Sequence, residues 1–150
     1  VVHYSGDAGF DSVETAQRLI ANYLNYQRDG YGRWMVEDKN SGEVLGWCGL
    51  KKNSWGIDLG YRLFKKFWGQ GVATECAEAT VKWAREKGLP RLIGRTLTGN
   101  PASARILEKL NFKSYSEQPI EDFAVGKRMN AKDLKRWEGQ YMVMMKLDLL

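Results

Sequence analysis

A chain of 150 residues is the length of one ordinary domain, long enough to enclose a real core. It holds no apolar run near the roughly twenty residues a bilayer crossing needs, so a soluble, cytoplasmic protein with no membrane partner is expected. The net charge of +5 favours an anionic partner, but the basic residues are spread over Lys51-Lys52, Lys65-Lys66, Arg85 to Arg95 and Lys127 to Arg136 without an Arg-rich arm, which argues against nucleic acid.

Asp11-Ser-Val-Glu14 reads as a capping box, and Val13, Ala16, Leu19, Ile20, Tyr23 and Leu24 repeat behind it with helical period, predicting a helix from Ser12 to Arg28 that ends at Gly30-Tyr-Gly32. Arg33 to Asp38 and Val44 to Lys52 are strand-like runs joined by a hairpin signal, Lys39-Asn-Ser-Gly-Glu43, and Trp55 to Phe64 supplies a third antiparallel strand. Val72 to Lys87 is an amphipathic helix stopped by Gly88 with Pro90 just beyond. Arg91 to Thr98 is the next strand, and strand, helix, strand in that order implies a parallel pair with a right-handed crossover, at whose carboxyl ends ligands gather. A helix from Ala102 to Leu110, a strand from Phe112 to Gln118 and a buried strand from Gln140 to Asp148 complete the chain. Pro119 to Gly139 is the least legible stretch, with a short helix from Asn130 to Trp137 as its one candidate element.

Two turns stand at helix starts, Gly69-Gln-Gly71 and Asn100-Pro-Ala-Ser103. A Gly-x-Gly turn at a helix start presents main-chain N–H groups and the positive end of the helix dipole to an anion, with no side chain in the way. A P-loop would need Gly-x4-Gly-Lys-Ser/Thr, which is absent. A dinucleotide fingerprint would end in a third Gly where Thr74 stands, and would carry an acidic residue after a strand that instead runs into Gly99-Asn100. His3 is the lone histidine and reads as surface, so no Ser-His-Asp set exists and no metal site has support. Cys48 and Cys76 lie in a strand pattern and a helix pattern, without CxxC spacing, and read as reduced, buried, inert thiols. The aromatics, including Trp34, Trp47, Trp55, Phe67 and Trp68, sit where core packing is the simplest account.

Phe67-Trp-Gly-Gln-Gly-Val-Ala-Thr-Glu75 resembles the pyrophosphate loop of the GNAT superfamily of acetyl-CoA-dependent N-acetyltransferases, and Asn100-x-x-Ser103 with Leu107-Glu-Lys-Leu-Asn-Phe112 resembles its next helix. Asp58-Leu-Gly-Tyr-Arg-Leu63 resembles the preceding strand of the RimJ/RimL-like branch, ribosomal-protein N-acetyltransferases; Trp68 stands where the general pattern has Gln or Arg. The resemblance implies a single-domain α/β fold over residues 1–150, a mixed twisted sheet flanked by helices. It also implies acetyl-CoA as co-substrate, no metal, and direct transfer in a ternary complex to a primary amine, either a protein N-terminus or a small amine. It places coenzyme A on Tyr61, Leu63, Trp68, Gly69, Gln70, Gly71, Val72, Ala73, Thr74, Asn100, Ser103 and Arg105, with Lys65 and Lys66 nearby.

In this reading Ser103 donates the proton to the leaving thiolate, since Leu107 occupies the position of the family's usual Tyr. Asp58 is the base, shorter by a methylene than the branch's Glu and reaching the amine through water. A main-chain N–H in Tyr61 to Leu63 holds the oxyanion, and Trp34 and Trp47 line the acceptor cleft. Each role has a plainer alternative: Asp58 as a surface carboxylate, Ser103 as a cap, Asn100 as a cap in place of or beside a pantetheine contact. A non-catalytic acyl-CoA-binding domain and a basic RNA-binding module are the alternatives at the level of the whole protein. Relatives of this kind begin with a further strand and helix, so Arg33 to Asp38 is expected to be a bare sheet edge that takes a second copy as cover, in a homodimer, or leaves the chain less stable.

Overall fold

The computed structural model describes residues 12–120, 122 and 138–150. Ser12 starts the first helix, its hydroxyl accepting the Thr15 N–H at 3.2 Å, and α1 runs Val13–Ala21. The expected helix to Arg28 is two helices, because the Asn22 side-chain amide turns back onto the Arg18 carbonyl at 2.8 Å and ends α1 there. A turn leads into α2, Asn25–Asp29, which stops at Gly30 with φ 76°. The apolar stripe of α1 is exposed, not packed: Val13 and Ile20 are 70% and 71% accessible. Asp11, His3 and the candidate helix at 130–137 lie outside the described residues.

Among the described residues, six strands form one sheet in the order β1-β2-β3-β4-β6-β5. These are β1 (Arg33–Glu37), β2 (Val44–Asn53), β3 (Gly56–Leu63), β4 (Arg91–Leu97), β5 (Lys113–Pro119) and β6 (Tyr141–Asp148). All neighbours are antiparallel except β3 and β4, as a helical crossover between them requires. That helix is α3, Val72–Glu86, reached through a 3-10 turn at Lys65–Phe67; α4, Pro101–Lys109, follows β4. Both helices pack on one face of the sheet, where Leu50, Leu59, Leu92, Met145 and Leu147 meet Ala77, Val81, Ala84, Leu107 and Leu110. Gly94 lets α4 approach so closely that a Cβ there would lie 2.6 Å from the Leu107 side chain. On the opposite face Ile93, Leu97, Met142 and Met144 pack with Ile120 and Trp55.

β1 is the sheet edge among the described residues, but it is not bare where it begins. Alternation of the ladder turns the Arg33 main chain outward, since the Leu50 N–H bonds to Gly32 on the inward side. Two tyrosines then stand in for a neighbouring strand: the Tyr23 hydroxyl accepts the Arg33 N–H at 3.0 Å, and the Tyr26 hydroxyl donates to the Arg33 carbonyl. The same alternation points the Met35 N–H outward, and Met35 is exposed. In hydrogen exchange the Arg33 amide is therefore expected to be protected and to lose protection in Tyr23→Phe, while Met35 exchanges fast in both proteins. Slow exchange at Met35 at concentrations where the protein sediments as a monomer would show internal cover there; slow exchange appearing only with dimer would restore the second copy.

Candidate active site

The parallel pair β3 and β4 is joined at two positions, Asp58 with Ile93 and Leu59 with Gly94, and beyond them the strands part. On its other side β3 stays paired with β2 as far as Leu63. The Phe64 N–H goes to Leu45 in β2, so strict alternation turns the N–H groups of Tyr61 and Leu63 toward the gap. The Leu63 carbonyl, which must point the same way, does so: it accepts the Trp68 indole N–H at 3.0 Å. That bond ties the half-exposed Trp68 ring to the strand end and fixes where the glycine turn begins.

Gly69 and Gly71 both have positive φ, 75° and 83°. A Cβ at either would meet nothing within 4 Å, so the backbone conformation and not crowding is what calls for glycine. The Gln70 side chain folds back onto the Lys66 carbonyl at 2.8 Å, and Gly71 heads α3 with no side-chain cap. The two helix starts differ in this respect. At α4, Asn100 Oδ1 accepts the Ser103 N–H at 3.2 Å, so that helix is capped from within. An incoming anion is therefore better served at α3, by the N–H groups of Val72, Ala73 and Thr74, than at α4.

Because Asn100 is the cap, the Ser103 hydroxyl has another partner. It lies 3.0 Å from the hydroxyl of Tyr61, which comes up from β3 on the helix-bearing face and is also 3.2 Å from the Ser103 carbonyl. Burial pushes the Tyr61 phenol up to about 12, against a smaller opposing effect of the Ser103 bond, so it keeps its proton throughout the neutral range. The sequence reading assigned Tyr61 only its main chain. Its parity could have shown more, since Tyr61 is three residues from Asp58 and must face the other side of the strand.

Asp58 is on the opposite face and is buried, not at the surface. Arg33 from β1 reaches its Oδ2 at 2.5 Å and Arg95 from β4 reaches its Oδ1 at 3.3 Å. The Arg33 side chain crosses the one intervening strand, β2, by lying over Gly49 and over Gly60 of β3, which face each other in the ladder, and it bonds the Gly49 carbonyl at 2.9 Å. A Cβ on Gly60 would sit 2.0 Å from the Arg33 guanidinium. Trp47 lies beneath both Arg33 and Arg62, with ring-to-guanidinium distances of 4.7 and 5.4 Å, and Trp55 faces Arg95 at 4.4 Å.

Trp34 is not part of this group. It lies in register with Cys48, on the helix-bearing face, edge-on to Trp83 of α3 at 5.1 Å. Trp34 and Trp47, grouped together in the sequence analysis, therefore stand on opposite faces of the sheet. Cys48 is buried, its thiol pushed up to about 11 by burial, with Thr80 at 3.5 Å; Cys76 is half-buried, not fully enclosed as expected. Lys66 pairs with Glu43, and Arg105 is exposed on α4. Among the described residues no group of His, Cys, Asp or Glu could hold a metal ion, and no helix is long and apolar enough to cross a membrane.

Comparison with known proteins supplies a family for this geometry. Residues 1–113 match the family model described as Acetyltransferase (GNAT) domain. The chain is similar to the uncharacterised protein YkkB of Bacillus subtilis, 31% identical over 115 residues that cover 73% of this chain and 66% of that protein. The chain spans about two thirds of the length of the first curated relatives it matches, 66% and 67%. Among solved structures it is similar to yncA from Salmonella typhimurium, a structure with acetyl-CoA bound, at a TM-score of 0.68 and 22% identity over 92% of this chain and 75% of that one. It is also similar to the ribosomal-protein-S5-alanine acetyltransferase from Vibrio fischeri, at 0.70 and 18% over 95% and 76%. At such identities these structures show the fold, a mixed twisted sheet flanked by helices. The family follows from the match over residues 1–113: the chain belongs to the GNAT acetyltransferases.

Proposed function

We propose that the protein is an acetyl-CoA-dependent N-acetyltransferase that moves an acetyl group directly to a primary amine within a ternary complex. The observation that carries this reading is the gap between β3 and β4, which has an uncapped glycine-headed helix beside it, a Ser103 hydroxyl on one face and a carboxylate on the other. The pyrophosphate of coenzyme A lies on the N–H groups from Gly69 to Thr74, beside Trp68. The pantetheine arm passes Asn100 and Ser103 on the α4 side, with Arg105 available to the nucleotide phosphates. The thioester enters the gap, where the Tyr61 and Leu63 N–H groups face its carbonyl oxygen.

Transfer then has a complete proton account. The acceptor ammonium gives up a proton through water toward Asp58, whose oxygens keep lone pairs beyond those used by Arg33 and Arg95. The neutral amine forms the C–N bond, the carbonyl pair moves onto oxygen, and on collapse the C–S pair leaves on sulfur. Ser103 passes its proton to that sulfur, and the proton the nitrogen sheds in becoming an amide restores it. Trp47, on the face of Asp58, borders the acceptor. The RimJ/RimL-like residues make a protein N-terminal α-amine the first acceptor class to test, ahead of polyamines, amino acids and other small amines. An acceptor screen by thiol release, with N-terminal peptides beside small amines, tests the reading; binding of acetyl-CoA with no turnover on any amine would favour a silent acyl-CoA-binding domain.

The glycine turn carries its own expectation. Gly71→Val forces a β-branched residue to φ 83° and turns the first N–H groups of α3 away from the phosphates. Acetyl-CoA affinity measured by calorimetry is expected to fall by about 2 kcal/mol, roughly thirtyfold. Unchanged affinity in a folded variant would place the phosphates elsewhere.

A further inference from the structure

We propose that Tyr61 is a positioning residue for this reaction: its side-chain hydroxyl holds the Ser103 hydroxyl in the one orientation that points its proton into the gap between β3 and β4. The inference rests on the acetyltransferase reading and adds to it a residue whose side chain that reading does not use.

A serine hydroxyl at the first turn of a helix ordinarily turns to a backbone group of its own helix. Here the Ser103 N–H already bonds to Asn100 Oδ1, so the cap of α4 does not depend on the serine hydroxyl. Its Oγ lies 3.0 Å from the Tyr61 oxygen, on a different element, 42 residues away in sequence. The ring of Tyr61 is wedged between β3 and α4 and packs against the main core, so its hydroxyl has little freedom. It has one proton and two acceptors within reach, the Ser103 Oγ and the Ser103 carbonyl at 3.2 Å. Given to Oγ, that proton leaves the serine's own proton for a sulfur in the gap. Given to the carbonyl, it makes the phenol oxygen the acceptor, and the serine proton is withdrawn from the gap. A departing thiolate, which needs a donor, selects the first arrangement. Tyr61 itself does not ionise, since burial holds its proton far above neutrality, so it directs the serine without replacing it as the acid.

The test is a double-mutant cycle with steady-state kinetics and acetyl-CoA calorimetry on wild type, Tyr61→Phe, Ser103→Ala and the double variant. Phe keeps the ring contacts and removes only the hydroxyl. Tyr61→Phe is expected to lower kcat about tenfold, the weight of one hydrogen bond, with acetyl-CoA affinity within about twofold of wild type. In the Ser103→Ala background the same change is expected to do nothing further, because there is no hydroxyl left to orient. An equal loss of kcat in both backgrounds, or a loss of acetyl-CoA affinity or melting temperature in step with kcat, would make Tyr61 a mere anchor of α4 through the Ser103 carbonyl and overturn the proposal. So would a Tyr61→Phe enzyme as fast as wild type. Failure of the wild type itself to turn over would instead overturn the acetyltransferase reading, and the two failures are thus distinct.

Discussion

Replacing Asp58 with Asn is expected to destabilise the protein by about 3–5 kcal/mol, the usual cost of removing one partner from a buried ion pair. Asp58 is 3% accessible and stands between two guanidinium groups, one from each side of β3. Without its charge, Arg33 remains laid over Gly49 and Gly60 with no carboxylate to meet. Denaturant unfolding measures the loss. A change below about 1 kcal/mol would mean that solvent reaches the pair and the burial argument fails. The folded fraction of the same variant is expected to lose about 10²–10⁴-fold in kcat/KM, because the group that collects the amine proton is gone. Wild-type turnover in that fraction would move the base to another residue, leaving Asp58 as the carboxylate that holds β1, β3 and β4 together.

Ser103→Ala is expected to lower kcat by about 10²–10⁴-fold, the range for loss of a general acid, while leaving acetyl-CoA binding close to wild type. Binding is expected to survive because the helix cap belongs to Asn100 and the proposed phosphate site lies on α3. Wild-type turnover in this variant would mean that the thiolate leaves with a proton from water or another donor. A large loss of acetyl-CoA affinity would instead give the hydroxyl a binding role.

What the residues declared in advance, and what they concealed, has a physical pattern. α3 was legible at both ends because glycines with positive φ, Gly71 and Gly88, bracket it, a conformation that favours glycine. The parallel pairing followed from strand, helix, strand order alone. The break between α1 and α2 was hidden because Asn22 interrupts the helix without disturbing its apolar period. That Trp34 and Trp47 face opposite sides of the sheet was hidden for a related reason. Which face a tryptophan of β1 or β2 occupies depends on the hairpin register, a one-residue slip exchanges the faces, and this hairpin carries an irregularity between Val36 and Glu37 that composition does not reveal. The enclosure of Asp58 was equally invisible, since it depends on Arg33 and Arg95 arriving from residues 25 and 37 positions away. The tyrosines that cover Arg33 belong to the same class, being side chains doing the work of a strand.

The central claim is that this fold brings acetyl-CoA and an amine together in one complex, and a two-substrate initial-rate measurement with the acetylated product weighed by mass spectrometry addresses it most directly. Varying acetyl-CoA at several fixed concentrations of the best amine from the screen is expected to give intersecting double-reciprocal lines, with one thiol released per amide formed and no acetyl group left on the protein. Parallel lines with an acetylated enzyme intermediate, or thiol release without any acetylated amine, would contradict it.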